Sequence, residues 1–159
     1  MFQPGHAAMS LPSQVEVVLV VENTARRRGL LAEHGLAFWL QWGERTVLFD
    51  CGQGGALPAN APRLGLALSA VTDVVLSHGH YDHAGGLAAV LASGARPRVF
   101  AHPAAWCERF SRHRDGWEPV GAGAEVVAAA AALGASPVSA PTEVAPGLFA
   151  TGEIPRLAA

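Results

Sequence analysis

The sequence predicts a mixed α/β (α+β) fold, because short apolar runs typical of strands alternate with helical segments along most of the chain. Half of the 159 residues are hydrophobic and 15% are charged, a composition that excludes a disordered chain. A chain of this length buries about 70% of the surface that it exposes when unfolded, which is enough for a hydrophobic core. We therefore expect one domain, or part of a larger one.

The opening part of the chain predicts a meander of three strands. Residues 14–21 first alternate and then become continuously apolar and rich in valine, a pattern typical of a strand. Residues 36–42 and 46–50 predict two further strands, and residues 42–45 between them form a tight hairpin connection. The polar stretch 23–35 predicts a loop or a short helix.

After this meander, helices and strands alternate. Helices or helical turns are predicted at residues 57–66, 86–92, 102–106 and 125–133. Strands are predicted at residues 71–77, 98–101, 137–140 and 148–151. Residues 110–123 are rich in arginine and polar residues, and we expect an irregular stretch there.

Four side chains of the kind that bind metals follow the apolar strand at residues 71–77. They are His78, His80, Asp82 and His83, packed into six residues. At the end of an extended strand, His78 and His80 lie on the same side because they are two positions apart. Asp82 and His83 then continue into a loop. Protonated histidines would repel one another and buried neutral ones would each need a partner, so a cation explains the cluster best. Imidazole nitrogens with a carboxylate oxygen suit zinc, and also manganese or iron(II).

The segments around this cluster resemble the metallo-β-lactamase superfamily. Residues 77–86, SHGHYDHAGG, match its HxHxDH motif, and residues 47–52, VLFDCG, match its upstream strand ending in Asp-x-Gly at the expected spacing. The resemblance extends over residues 15–156 and implies an αββα sandwich with a dinuclear metal site at the sheet edge. We expect residues 14–159 to be the N-terminal αβ half of such a domain, after an unstructured N-terminus at residues 1–13.

The resemblance also implies a role for each residue of the site. By that likeness His78 and His80 hold the first metal, and Asp82 and His83 hold the second. Asp82 would also orient the nucleophilic water, which makes it the candidate catalytic residue. Asp50 is expected to support a ligand through a hydrogen bond.

Within the superfamily, the chain is similar to the branch of the dihydropterin ribofuranosyl-aminobenzene phosphate synthases. The similar segments are the HGHYDHAGG form of the motif and residues 22–23, 33–36, 101–103 and 151–156. This likeness implies a pterin-type synthase activity on a small molecule, and an anionic substrate is one expectation.

The chain holds too few of these ligands for two catalytic metals. Four ligands leave two for each metal, whereas a catalytic zinc usually has three protein ligands and a water. Downstream of the motif the histidines are His102 and His113. His102 is either an extra ligand or the cap of the next turn. Arg112 and His113 either form a solvated loop or contact an anionic substrate.

By the family likeness, the remaining ligands come from the second half of the domain, and the absence of that half also affects folding. A sandwich buries one sheet against another, so half of it would expose a large apolar face. We expect a truncated chain or a fragment, with half of an assembly or a homo-oligomer as the alternative.

The composition limits the partners. A net charge of −2 and an isoelectric point near 6.4 argue against nucleic acid, so we expect a small-molecule substrate. Two cysteines outside any CxxC pair cannot form a disulfide framework. The N-terminus lacks the features of a signal peptide, and the apolar runs fall short of the ~20 residues of a membrane helix. These features predict a cytoplasmic protein that does not bind a membrane.

The predicted function is that of a metal-dependent hydrolase, in which metal-activated water attacks an ester, phosphoester or related bond. A synthase activity on a dihydropterin phosphate is the narrower version. The alternative is a metal-binding but catalytically incompetent half-domain, or a partner subunit of another chain. A nuclease of the same superfamily is a weaker interpretation, because an RNA substrate favours a more basic surface.

Overall fold

The computed structural model describes residues 11–155, so the N-terminus expected at residues 1–13 lies largely outside the described part. The strands are β1 Val15–Val21, β2 Ala37–Trp42, β3 Arg45–Phe49, β4 Asp73–Val75, β5 Arg98–Ala101, β6 Phe110–His113, β7 Gly116–Pro119, β8 Ser136–Pro137, β9 Thr142–Ala145 and β10 Leu148–Ala150. The helices are α1 Ala56–Arg63, α2 Tyr81–Ala84, α3 Leu87–Ala92 and α4 Ala124–Ala132. Two 3₁₀ turns lie at Leu68–Ala70 and Pro103–Trp106.

Six strands form one mixed sheet in the order β1-β2-β3-β4-β5-β8. β1, β2 and β3 are an antiparallel meander, as predicted, and β3, β4, β5 and β8 run parallel. Parallel strands need crossover connections, which the helical segments provide. The carboxyl ends of β3, β4 and β5 therefore meet at one edge of the sheet, where Asp50, His78 and His102 follow the strands. The predicted α/β fold is confirmed.

The main core lies between the sheet and its helices. Leu48, Val74 and Val99 sit in register on adjacent strands and are fully or almost fully buried, together with Leu57 of α1 and Leu87 of α3. Burying each leucine contributes about 1.5–3 kcal/mol, so this layer fixes the strand order and the edge at which the site forms.

The opposite face of the sheet is also apolar. Phe100 packs there with Val138 and with Val144 of the β9–β10 hairpin. A cavity of about 640 Å³ remains between this face and the hairpin. His78 and Ser77 form part of its wall, so the cavity adjoins the candidate site.

A buried ion pair lies at the other end of β4. Asp73 is fully buried, and its carboxylate accepts a 2.6 Å hydrogen bond from Nε of Arg98. Nε of Arg45 lies 3.2 Å from the second carboxylate oxygen. The charge of Asp73 is therefore compensated by two arginines on the neighbouring strands.

Three segments differ from the sequence-based expectations. The irregular stretch expected at residues 110–123 contains the β6–β7 hairpin, so that expectation is wrong. Asp82 and His83, expected in a loop, lie in the one-turn helix α2. β9 was not expected, because two proline-containing stretches flank it.

None of the helices in the described part of the chain is long and apolar enough to cross a membrane.

Candidate metal centre

The four predicted ligands lie in the turn between β4 and α3. His80 is the N-cap of α2, in an extended conformation, and the helix then carries Asp82 and His83. A Cβ at Gly79 would overlap the carbonyl oxygen of Ala105, so only glycine lets the turn approach the segment that follows β5. This close approach fixes the backbone between His78 and His80.

The histidine rings are close neighbours. The ring centroid of His78 lies 4.5 Å from that of His80 and 4.2 Å from that of His83. Oδ2 of Asp82 lies 3.6 Å from Nε2 of His83. Two donors bound to one tetrahedral zinc at 2.0–2.2 Å are roughly 3.4 Å apart, so this last pair has a separation suited to a shared metal.

Asp50 orients two of the histidines, His83 directly and His78 through Ser77. It is fully buried, and its carboxylate accepts hydrogen bonds from the backbone N–H of Ser77 at 2.8 Å and the Ser77 hydroxyl at 2.7 Å. Its Oδ2 lies 2.7 Å from Nδ1 of His83. An ionised carboxylate only accepts, so Nδ1 of His83 carries a hydrogen, and in the neutral form of this ring the lone pair lies on Nε2.

Ser77 extends the same arrangement to His78. Its hydroxyl lies 2.9 Å from Nδ1 of His78 and donates its one hydrogen to Asp50. The hydroxyl oxygen must therefore accept from Nδ1 of His78, which leaves Nε2 of that ring free as well. One buried carboxylate thus sets the tautomer of two imidazoles, as metal-binding histidines require.

The electrostatic environment favours neutral His78. Burial lowers the pKa of His78 below its ordinary value of 6.5, and the charges of His83 and His80 lower it further, against the opposing effect of Asp50 and Asp82. A neutral imidazole is the form that binds a metal.

The backbone of Asp50 is unusual. Among the described residues, Asp50 alone of the non-glycine residues has a positive φ, 59°. Aspartate tolerates this left-handed conformation better than most residues. The conformation directly follows β3 and places the carboxylate under the histidine turn.

The structure adds a residue that the sequence interpretation missed. Nδ1 of His34, in the loop between β1 and β2, lies 2.9 Å from Oδ2 of Asp82. The two residues are 48 positions apart, so no local spacing connects them. The signal in the sequence was the Glu33-His34-Gly35-Leu36 segment, which was used only as a mark of similarity.

His102 caps the 3₁₀ turn that follows it. Its Nδ1 accepts a 3.1 Å hydrogen bond from the backbone N–H of Ala104, and its Nε2 lies 3.9 Å from Oε2 of Glu153. These contacts match the capping role that was one of the two expectations for this residue.

Arg112 and His113 lie on the exposed β6–β7 hairpin. Nε2 of His113 lies 3.7 Å from Oε2 of Glu118 on the facing strand. The root of the hairpin contacts the histidine turn, because Tyr81 donates its backbone N–H to Val120 and Ala122 donates to Gly79. A substrate role for this hairpin stays a prediction.

Cys51 beside Asp50 is fully buried, and burial together with the charge of Asp50 raises the pKa of its thiol. The thiolate form that binds metals or attacks carbonyls is therefore disfavoured. Cys51 is therefore a packing residue of the hydrophobic core next to the site.

Within residues 11–155, no three histidine, cysteine, aspartate or glutamate side chains are arranged so that they could hold a metal ion as they stand. The donor types and their tautomers nevertheless fit a divalent cation, and one donor pair has a suitable separation. Binding would need side-chain movements of the other ligands. The assignment of His78, His80, Asp82 and His83 as ligands stays a prediction.

Comparisons with known proteins give a family and several partial relatives. The sequence profile of the Metallo-beta-lactamase superfamily matches residues 31–155. An uncharacterized protein of Methanocaldococcus jannaschii is 31% identical over 99 residues, which are 62% of this chain and 38% of that protein.

Solved structures with similarity include a metallo-β-lactamase from Cronobacter sakazakii with a mutated HARLDQ motif, at 26% identity and a TM-score of 0.44, covering 58% of this chain and 36% of that one. A putative metallo-β-lactamase from Thermotoga maritima is 22% identical with a TM-score of 0.41, covering 56% of this chain and 44% of that one. This chain therefore spans less than half the length of each of these proteins.

Proposed function

Because this chain belongs to the metallo-β-lactamase superfamily, we propose that it carries the first part of a metal-dependent hydrolase centre, built on His78, His80, Asp82 and His83. The superfamily generally binds divalent metal ions. The observation that carries the proposal is the position of Asp50, which fixes the tautomers of His83 and, through Ser77, of His78. This arrangement is the one that supports metal-binding histidines, in which a carboxylate accepts one ring N–H and the other ring nitrogen binds the metal.

The ligands fit zinc best, and manganese or iron(II) also suit this donor set. By family likeness His78 and His80 would hold one metal, and Asp82 and His83 the second. When bound, such a metal lowers the pKa of water to about 7 and polarises the bond under attack. The bond would be an ester, a phosphoester or a related linkage.

The residues of this chain have separable tasks. Asp50 and Ser77 select the tautomer of His83 and His78 that carries its hydrogen on Nδ1, so that in the neutral ring Nε2 can bind a metal. Asp82 has two carboxylate oxygens, so one can bind a cation while the other accepts a hydrogen bond from the attacking water and orients it. The largely apolar cavity beside His78 offers space for a substrate next to the site.

For the substrate, we propose a small anionic molecule in the cytoplasm, of the type that a dihydropterin phosphate synthase uses. The similarity in residues 22–23, 33–36 and 151–156 supports this branch. Arg112 on the exposed hairpin could bind a phosphate through its guanidinium fork. No nucleic acid or membrane partner is proposed, because the net charge is −2.

A second candidate is a metal-binding unit that is not catalytic by itself and works with further ligands from a partner chain or a second copy. Two observations favour it: the four ligands leave two for each metal, and no preformed group of three donors exists in the described part of the chain.

Metal analysis and a turnover assay distinguish the two candidates. The purified chain, His80→Ala and the control His102→Ala are loaded with zinc, and both bound zinc and hydrolysis of a chromogenic phosphodiester are measured. Two zinc ions per wild-type chain with turnover support the hydrolase. Weak binding of one ion without turnover supports the second candidate. Equal zinc content in wild type and His80→Ala would refute the ligand assignment.

A further inference from the structure

We propose that His34 is a positioning residue for Asp82, an inference that rests on the proposed role of Asp82 as a ligand. Nδ1 of His34 lies 2.9 Å from Oδ2 of Asp82, and this same oxygen lies 3.6 Å from Nε2 of His83. Because the carboxylate only accepts, Nδ1 of His34 donates the hydrogen. The hydrogen bond therefore fixes the oxygen that faces His83.

The loop that carries His34 is held by the neighbouring residue. The carboxylate of Glu33 accepts backbone hydrogen bonds from Gln53 at 2.9 Å, Gly55 at 3.2 Å and Ala56 at 2.9 Å. These N–H groups lie at the start of α1, where a negative charge is favourable. The side chain of Gln53 also donates to the backbone carbonyl of His34 at 2.7 Å.

A buried asparagine holds the same loop from its other side. Asn60 of α1 accepts the backbone N–H of Leu31 at 2.8 Å and donates to the carbonyl of Leu31 at 2.9 Å and that of Val20 at 2.8 Å. Asn60 is almost fully buried, so these bonds are protected from water. The loop is therefore fixed to the helix and to β1.

The backbone of the loop also touches the backbone of Asp82. A Cβ at Gly35 would overlap the carbonyl oxygen of Asp82, and φ of Gly35 is 134°, which favours glycine. The N–H of Leu36 donates to the same carbonyl at 3.4 Å, and the N–H of Gly35 donates to Asn23 at 3.0 Å. The separation of His34 and Asp82 is thus set by the main chain.

His34 has no packing role that would explain this arrangement. Its side chain is 68% exposed, whereas that of Asp82 is 9% exposed. The loop therefore holds an exposed imidazole beside a buried carboxylate. We infer that the imidazole serves to orient this carboxylate through the hydrogen bond. Removing such a hydrogen bond to a ligand typically weakens metal affinity by about 10- to 100-fold.

The test measures zinc affinity by competition with a chromophoric chelator for the wild-type chain, His34→Ala, His34→Asn and the control His113→Ala. We expect about a 10- to 100-fold loss for His34→Ala. His34→Asn should lose less, because its amide N–H can replace Nδ1–H. His113→Ala, which removes another exposed imidazole, on the β6–β7 hairpin, should match wild type. Circular dichroism shows that each variant is folded.

X-ray absorption on the zinc-loaded proteins separates positioning from ligation. We expect the same number of imidazole ligands in wild type and His34→Ala. One imidazole fewer in the variant would make His34 a ligand and overturn the positioning role. Equal affinities of wild type and His34→Ala would overturn this inference alone. A wild-type chain that binds no zinc would refute the proposed function, and the role of His34 would fall with it.

Discussion

Asp50 and His83 form a 2.7 Å contact in which a fully buried carboxylate accepts the Nδ1 hydrogen of a largely buried imidazole. The contact joins the end of β3 to α2. The same carboxylate also accepts two hydrogen bonds from Ser77. Asp50 therefore connects the edge of the sheet to both ends of the histidine turn.

Replacing Asp50 with alanine should weaken both the fold and the site. The backbone N–H of Ser77 loses its acceptor, and because Ser77 itself is exposed, we expect a loss of about 1 kcal/mol, the net value of one hydrogen bond. Zinc affinity should fall by about 10- to 100-fold, because His83 and His78 lose the group that sets their tautomers. Chemical denaturation and chelator competition measure the two effects. The matched control is Asp115→Ala on the exposed β6–β7 turn, and zinc affinity equal to wild type in Asp50→Ala would contradict the proposed support.

Replacing Asp73 with alanine should lower stability without changing metal binding. Asp73 is buried between Arg45 and Arg98, at the end of β4 opposite the site. Both arginine side chains are partly exposed, 36% and 49%, so water can solvate them after the substitution. We therefore expect a loss of about 1–3 kcal/mol, below the 3–5 kcal/mol of a fully buried pair.

Denaturant unfolding and zinc competition on Asp73→Ala check this separation of fold and site. A loss of zinc affinity comparable with that of Asp50→Ala would show that affinity merely follows global stability. Unchanged affinity in a destabilised variant would show that the effect of Asp50→Ala is local.

Local patterns in the sequence predicted the strands of the sheet and the group of four ligand-type residues. Both are short-range signals: strands are set by runs of apolar residues, and the four residues fall within six positions. The predicted supporting role of Asp50 came from family likeness, and the structure places Asp50 in contact with His83. The contact itself could not be read from spacing, because it depends on the parallel pairing of β3 and β4.

The features that the sequence did not reveal depend on tertiary contacts or on weak local signals. His34 meets Asp82 only because Glu33 and Asn60 fix the loop to α1. The β6–β7 hairpin has an Asp115-Gly116 turn, a usual hairpin signal, but almost all of its side chains are exposed. Without a buried face its strands show no alternation. Helix α2 is a single turn, too short for a helical period.

Replacing Glu33 with glutamine should loosen the His34 loop. Its carboxylate accepts three backbone N–H groups at the start of α1, and the neutral amide loses the charge that strengthens these bonds. We expect a loss of about 1 kcal/mol in the free energy of unfolding, measured by denaturant. Hydrogen exchange should increase at Gly55 and Ala56, whose N–H groups Glu33 accepts. The control is Glu44→Gln in the β2–β3 turn, and unchanged protection in Glu33→Gln would contradict this role.

The metal-free chain should become less stable as the pH falls below about 6.5, and His78 should contribute to this loss. Burial lowers the pKa of His78 in the folded state, while the unfolded chain keeps the ordinary value of 6.5. Below that pH the unfolded state binds more protons at this residue than the folded state does. The free energy of unfolding therefore decreases as the pH is lowered from 6.5, and it stops decreasing at this residue once the pH is below the folded-state pKa. Well above pH 6.5 both states are neutral at this ring and its contribution is constant.

Denaturant unfolding of the zinc-free chain from pH 5 to 8 checks this expectation. The free energy of unfolding should change more steeply with pH for wild type than for His78→Gln. His113→Gln on the exposed hairpin is the control and should retain the wild-type slope. A wild-type slope in His78→Gln would mean that the histidine cluster does not disfavour the charged form of His78.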